Sequence, residues 1–179
     1  LVRTAARGPL AVQVGGWEAP LGIVLVADKL AALMLVVSSA VTLCVLVYSI
    51  GQGMADGNEE TPLSIYHPTY LVLTAGVTNA FLSGDLFNLY VGFEILLGAS
   101  FVLLTLGGTG ARIRAGSIYV VVSLLSSVLF LVAIAFVYTT TGTLNLAQLA
   151  ERIDRYRLSL GDTLVGEAPT YRGEGMSFL

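Results

Sequence analysis

No charged residue occurs between Arg114 and Glu151. Inside that interval, Ile118 to Thr141 is apolar or hydroxyl-bearing throughout. A helix crosses about 30 Å of hydrocarbon in roughly 20 such residues, at about 1.5 Å per residue. Lipid offers backbone amides no partners, so a run of this kind must be helical to satisfy them. Three other stretches approach the same standard. Leu30 to Ile50 carries no charge, and Leu86 to Leu106 carries one, Glu94. Tyr66 to Gly84 is weaker, with His67 and Pro68 at one end and Asn79 inside. The fold class expected is an all-α integral membrane protein with four transmembrane helices, at 30–50, 66–84, 86–106 and 118–141.

Composition closes off the alternatives. Apolar residues make up 55% of the chain and charged residues 12%, with a mean hydropathy of +0.83. A soluble domain has about 25% charged residues. A net charge of −3 leaves no basic footprint for nucleic acid. One cysteine (Cys44) and one histidine (His67) exclude a disulfide framework and a Cys/His metal site. No glycine-rich nucleotide loop and no Ser/His/Asp grouping is present, so neither a cofactor nor a metal site is expected.

The connections differ in kind. Residues 1–29 form an extramembrane or interfacial segment. Around Gly15–Gly16 it alternates apolar and polar residues, which suits a small hairpin or an extended segment at the interface, with Trp17 at headgroup depth. Asp28 is placed to cap the first helix. Residues 51–65, with three acids, read as a solvated loop. Ser83–Gly84–Asp85 reads as a tight turn that makes the second and third helices a hairpin, and 107–117 as a short basic loop carrying Arg112 and Arg114. Residues 143–153 place Leu146, Leu149, Ala150 and Ile153 on one stripe, which predicts a surface amphipathic helix capped by Thr143 or Asn145. Residues 154–179 read as a polar tail. The chain opens at Leu1 with no signal-peptide pattern, and a fragment or trimmed product is the expectation. Charge does not orient it: Lys29 with Arg3 and Arg7, and Arg112 with Arg114, both favour the inside, yet three helices separate them.

Glu94 carries the functional argument. A carboxylate near mid-bilayer costs about 3 kcal/mol on insertion scales, so it must face protein or a water-filled cavity, where it can take up and release protons. At helical spacing its face carries Tyr90, Leu97, Gly98 and Phe101, and Gly98 would let another backbone approach closely. The fourth helix aligns Tyr119, Ser123, Ser126 and Ser127 on one polar stripe, and the second carries Thr74 and Thr78 one turn apart. These hydroxyls are candidate pathway-lining groups; the alternative is that they bond back to their own helix. Likewise Glu94 has a structural alternative, a carboxylate bonded to neighbouring helices. Lys29 reads as an interfacial anchor, as does His67, and Cys44 as a core residue.

The run HPTYLVLTAGVTNAFLSGDLFNLYVGFEILLGASFVLLTLGG closely resembles the proton-translocating subunits shared by respiratory complex I and the Mrp-type cation/proton antiporters, most of all the MrpD branch. GGWEAPLGIVLVADKLAALM and SIYVVVSLLSSVLFLVAIAFVYTTTGTLNLAQLAERI resemble flanking parts of the same family. The resemblance covers roughly 10–153 and stops at about Asp154. It implies a subunit of about fourteen helices with two inverted repeats, each holding a broken helix. The helices here would be its third to sixth, and Glu94 its helix-five glutamate, which in the family pairs with a lysine on helix seven. The resemblance also places the 107–117 loop on the cytoplasmic side. Its functional implication is part of a multisubunit Na+/H+ antiporter in the cell membrane. The partners implied are other subunits, lipid, protons and Na+, with no nucleic acid and no redox or hydrolytic site of the chain's own. A complex I membrane subunit and a non-transporting helical scaffold are the alternatives.

Overall fold

The computed structural model describes residues 4, 8–17, 22–51 and 63–165. Most of the expected 51–65 loop and the tail beyond 165 therefore lie outside the described residues. Two short antiparallel strands, β1 (Leu10–Gln13) and β2 (Val24–Ala27), pair with Leu10 opposite Ala27 and Gln13 opposite Val24. Trp17, just past their short 3₁₀ turn, is 66% exposed.

Five helices follow. α1 (Lys29–Gly51) starts where the Asp28 carboxylate accepts the Ala31 amide at 2.6 Å. α2 (Leu63–Leu82) begins three residues before the expected boundary and tolerates Pro68 in its N-terminal part. Its Tyr70 hydroxyl donates to the Thr42 carbonyl at 2.7 Å, tying α2 to α1. α3 (Leu86–Thr105) is capped by Asp85, whose carboxylate accepts from the amides of Phe87 and Asn88 at 2.9 and 3.0 Å.

α4 (Gly110–Thr141) corrects the expected basic loop, because the helix begins eight residues before Ile118. Thr109 caps it, and the Arg112 guanidinium donates back to the Leu106 carbonyl at 2.6 Å, so the glycine-rich segment turns within 106–109. At 32 residues, α4 is about 48 Å long, more than the hydrocarbon thickness, so Arg112 and Arg114 can stay in its first turns at the interface. Gly142, at φ +69°, ends it by donating its amide to the Tyr138 carbonyl at 2.7 Å.

α5 (Leu146–Val165) is capped by Asn145, which accepts from the amides of Ala147 and Gln148 at 3.1 and 3.2 Å. It runs well past Ile153, so the first part of the expected polar tail is helical; an exposed Arg155–Glu151 pair at 3.0 Å spans one of its turns.

Among the described residues, three helices are long and apolar enough to cross a membrane: α1, α3 and α4. The sequence pattern predicts four. α2 has the length, but His67, Thr69, Thr74, Thr78 and Asn79 dilute its hydropathy. The large apolar side chains of α1 and α4 point outward, as Val36, Val47, Leu125 and Phe136 do, which suits lipid or neighbouring helices.

Helix direction collects three connections at one end: the strand hairpin, the Ser83–Asp85 turn and the 142–145 link. They are stitched through backbone. The Gly84 amide donates to the Val24 carbonyl at 2.8 Å, the Leu86 amide to the Leu144 carbonyl at 3.0 Å, and the Leu146 amide to the Gly84 carbonyl at 3.0 Å. Gly84 permits this, since a Cβ there would lie 2.7 Å from a Val26 methyl and 2.9 Å from the Val24 carbonyl oxygen. Thr143, beside the stitch, is fully buried and donates to the Gln148 side chain at 2.7 Å.

Small residues also set the helix spacing. A Cβ on Gly76 would sit 3.1 Å from the Leu96 amide, and one on Gly92 3.2 Å from the Ala80 amide, so α2 and α3 meet backbone to backbone. Gly98 does not serve this purpose. Nothing lies within 4 Å of where its Cβ would be.

Candidate functional site

α3 presents Glu94 half-buried toward α4, which answers with Ser127, only 8% exposed. The Ser127 hydroxyl donates to Glu94 Oε1. The same hydroxyl lies 3.2 Å from the Tyr90 phenol oxygen, one turn before Glu94. One hydroxyl carries one proton and two lone pairs. With that proton given to Glu94, Ser127 Oγ can accept from Tyr90, so the three groups form a chain Tyr90→Ser127→Glu94. Phe130 closes one side of it, edge-on to Tyr90 at 6.0 Å and to Phe93 at 6.1 Å.

Two clefts meet at this pair. One, of about 220 Å³, extends past Gly98 and Ser123 to Phe101 and Tyr119, in the direction of the 106–109 loop. The other, of about 370 Å³, is lined by Phe93, Ser126 and Phe130 on the opposite side. Gly98 therefore keeps the first cleft open instead of drawing a helix in. Apart from Glu94 and the serines, the walls are almost wholly apolar, so the carboxyl finds its polar partners in Ser127 and in whatever enters the clefts.

A hydroxyl suits either protonation state of a carboxyl, because it can donate to a carboxylate or accept from a carboxylic acid. Ser127 can therefore stay bonded to Glu94 on gain or loss of a proton, because its hydroxyl can also accept the acid's O–H, which a pure donor could not. Among the described residues no cation pairs with Glu94, and no group of three or more potential metal ligands occurs.

The other expected pathway residues divide. Ser123 lines the first cleft and Ser126 the second, although the Ser126 hydroxyl also donates to the Val122 carbonyl at 3.0 Å. Thr74 and Thr78 stand apart. Their hydroxyls donate to the carbonyls of Tyr70 and Thr74, at 2.9 and 2.8 Å, within α2, and neither lines a cleft at Glu94. His67 packs edge-on against Tyr66 at 5.3 Å, and Cys44 is exposed on α1, not in a core.

An amide pair is not foreseen from the sequence. Asn88 Nδ2 donates to Asn79 Oδ1 at 3.2 Å and to Ser83 Oγ at 3.1 Å, which locks α2 to α3 beside their turn. The available signal is two asparagines flanking a tight turn between apolar helices, where each needs a partner.

Residues 83–167 match the family described as NADH:quinone oxidoreductase/Mrp antiporter, TM. The match continues past Asp154, where the resemblance read from the sequence stops. The chain is 43% identical over 147 residues to the D-type subunit of the Na(+)/H(+) antiporter of Alkalihalophilus pseudofirmus, covering 82% of this chain and 29% of that protein. Against the D-type subunit of the Na(+)/H(+) antiporter of Bacillus subtilis it is 43% identical over 154 residues, covering 86% and 30%. A chain of the Mrp complex from Dietzia sp. DQ12-45-1b superposes with a TM-score of 0.69 at 35% identity, over 78% of this chain and 26% of that one. The chain thus spans about three-tenths of the length of the curated relatives it matches.

Proposed function

We propose, from the premise that this chain belongs to the membrane-subunit family shared by NADH:quinone oxidoreductase and Mrp antiporters and is MrpD-like, that Glu94 is its proton-transfer carboxyl. The observation that carries the proposal is the Ser127–Glu94 hydrogen bond, made between two helices apolar enough to cross the bilayer. A carboxyl retained at that depth is a functional group by default. Its hydroxyl partner accommodates both protonation states, and the two clefts supply approaches from different directions. Ser127 and Tyr90 hold the carboxyl and relay protons to it, while Ser123 and Ser126 line the approaches. Thr74 and Thr78 brace α2.

The longer protein works as one subunit of a multisubunit antiporter in the cell membrane, exchanging Na+ for protons. Two of its relatives bear that activity in their names. α2 serves as a fourth span, since it packs backbone to backbone along α3 through Gly76 and Gly92. The family description also covers NADH:quinone oxidoreductase, where the same carboxyl would serve redox-driven proton movement. Exchange that requires added quinone and NADH would favour that second reading.

The test is Ser127→Ala in the full-length subunit assembled in its complex. A hydrogen bond to a charged group is worth about 1.5–3 kcal/mol, so cation/proton exchange is expected to fall by roughly 10- to 150-fold. Ser127→Thr, which restores a hydroxyl, should recover most of the loss. Equal activity in the Ala variant would remove Ser127 from the mechanism.

A further inference from the structure

The α4–α5 corner holds a polar hollow, far from Glu94 along the bundle. Arg152, Arg155, Tyr156 and Ser159 follow one another at i, i+3, i+4 and i+7, which places them on one face of α5. That face is turned toward the end of α4, because the Arg152 guanidinium donates to the carbonyl of Thr141, the last residue of α4. With Thr141 these four residues line a hollow of about 460 Å³.

We infer that Arg152, Arg155, Tyr156 and Ser159 bind the phosphate of an anionic phospholipid in the leaflet that meets the α4–α5 corner. Charge is the first argument. Among the described residues, the lining contains two guanidinium groups and no carboxylate. Glu151 engages Arg155 through one nitrogen at 3.0 Å, and the Thr141 carbonyl holds Arg152 through another. Each guanidinium has five N–H donors, so both keep donors for a phosphate, which they match as planar forks. Asp154 lies about 100° or more around the helix from all four lining residues.

Depth is the second argument, and it selects a lipid over a free anion. From Val128 to Val137 α4 is apolar throughout, then it ends in Tyr138, Thr139, Thr140 and Thr141. That change marks where the span leaves hydrocarbon, so the hollow lies level with headgroups. Tyr156, 62% exposed, and Trp17, on the hairpin at the same end, are the aromatic types enriched at that depth. Beside the arginine face, α5 carries the stripe of Leu146, Leu149 and Ile153, a surface that suits acyl chains.

The experiment is native mass spectrometry of the full chain released from vesicles of phosphatidylcholine mixed with phosphatidylglycerol. The wild-type chain should retain phosphatidylglycerol in preference to phosphatidylcholine. Arg155→Glu, which leaves the Arg152–Thr141 bond intact, should lower that preference by about tenfold or more, and Arg152→Gln combined with Arg155→Gln should abolish it. Arg112→Gln with Arg114→Gln, at the other end of α4, should leave it unchanged. Equal retention of the two lipids by wild type, or undiminished preference in the Arg155 variant, would overturn the inference. Displacement of phosphatidylglycerol by millimolar inorganic phosphate would assign the hollow to a free anion and overturn it as well.

Discussion

Gly84→Ala should loosen the end of the bundle where three segments are stitched together. Gly84 has no positive φ to protect, so alanine is conformationally allowed and the cost is one of contact. The new Cβ would stand 2.7 Å from a Val26 methyl and 2.9 Å from the Val24 carbonyl oxygen. Carbon atoms pack best at about 3.5–4.0 Å, so both contacts are repulsive. The methyl can swing aside. The carbonyl cannot, because it accepts the Gly84 amide itself at 2.8 Å, and relief means parting β2 from the turn. Overpacking of this kind costs about 1–3 kcal/mol. Loss of the amide bond adds about 0.5–1.5 kcal/mol net. The total, about 1.5–4.5 kcal/mol, corresponds to roughly 10- to 1,600-fold more frequent local opening at about 1.4 kcal/mol per decade. Hydrogen exchange in detergent reads this at the amides of residue 84 and Leu146, both part of the stitch. Gly98→Ala is the control. Nothing lies within 4 Å of its Cβ position, so the same amides should keep their protection. Protection at residue 84 and Leu146 changed by less than about threefold in Gly84→Ala would refute the claim that close approach fixes this turn.

Asn145→Ala removes the side chain that accepts the first amides of α5, at 3.1 and 3.2 Å, and should destabilise that helix by about 1 kcal/mol. The expected readout is exchange about fivefold faster at Ala147 and Gln148, with α3 amides unaffected. Spin labels at Ile153 and Glu151, on different faces of α5, should differ sharply in collision with lipid-soluble oxygen when the chain is in a bilayer; equal accessibility would reject a helix lying along the membrane surface. Tyr70→Phe deletes the bond to the Thr42 carbonyl at 2.7 Å and should lower thermal stability by about 0.5–1.5 kcal/mol without changing the α3–α4 clefts.

The sequence disclosed the elements whose causes are local. Asp28 before an apolar run and Ser83–Gly84–Asp85 between two such runs each act within a few residues, and each caps or turns the chain there; the alternation around Gly15–Gly16 supplies β1, but its partner strand lies beyond it at Val24–Ala27. What stayed hidden depends on contacts between segments. The stretch from Gly107 to Ser117 has the glycines and arginines of a loop, yet Thr109 and the Arg112–Leu106 bond begin the helix at Gly110. Gly98 has the spacing of a close-approach site, because spacing shows which face a glycine occupies but not whether another backbone stands opposite. Gly76 and Gly92 have that backbone, and Gly98 has a cleft. The hydroxyls sort by the same rule. Ser127 finds a carboxyl on α3, whereas Thr74 and Thr78 face no such partner and turn to their own carbonyls. Past Asp154, arginines and Gly161 read as an unstructured tail, but the Asn145 cap and the Glu151–Arg155 pair support a helix that continues to Val165.

Glu94→Gln in the full-length subunit, assembled in its complex and reconstituted into vesicles, tests the proton-transfer claim most directly. Glutamine keeps the size and a hydrogen-bonding oxygen for Ser127 but cannot carry a proton. Positioned proton transfer contributes about 10²- to 10⁴-fold to a rate, so cation-dependent proton exchange should fall at least about a hundredfold. Glu94→Asp should retain measurable exchange, and the complex should assemble normally in both variants. Normal exchange in an assembled Glu94→Gln complex would contradict the account, leaving Glu94 as a brace between α3 and α4.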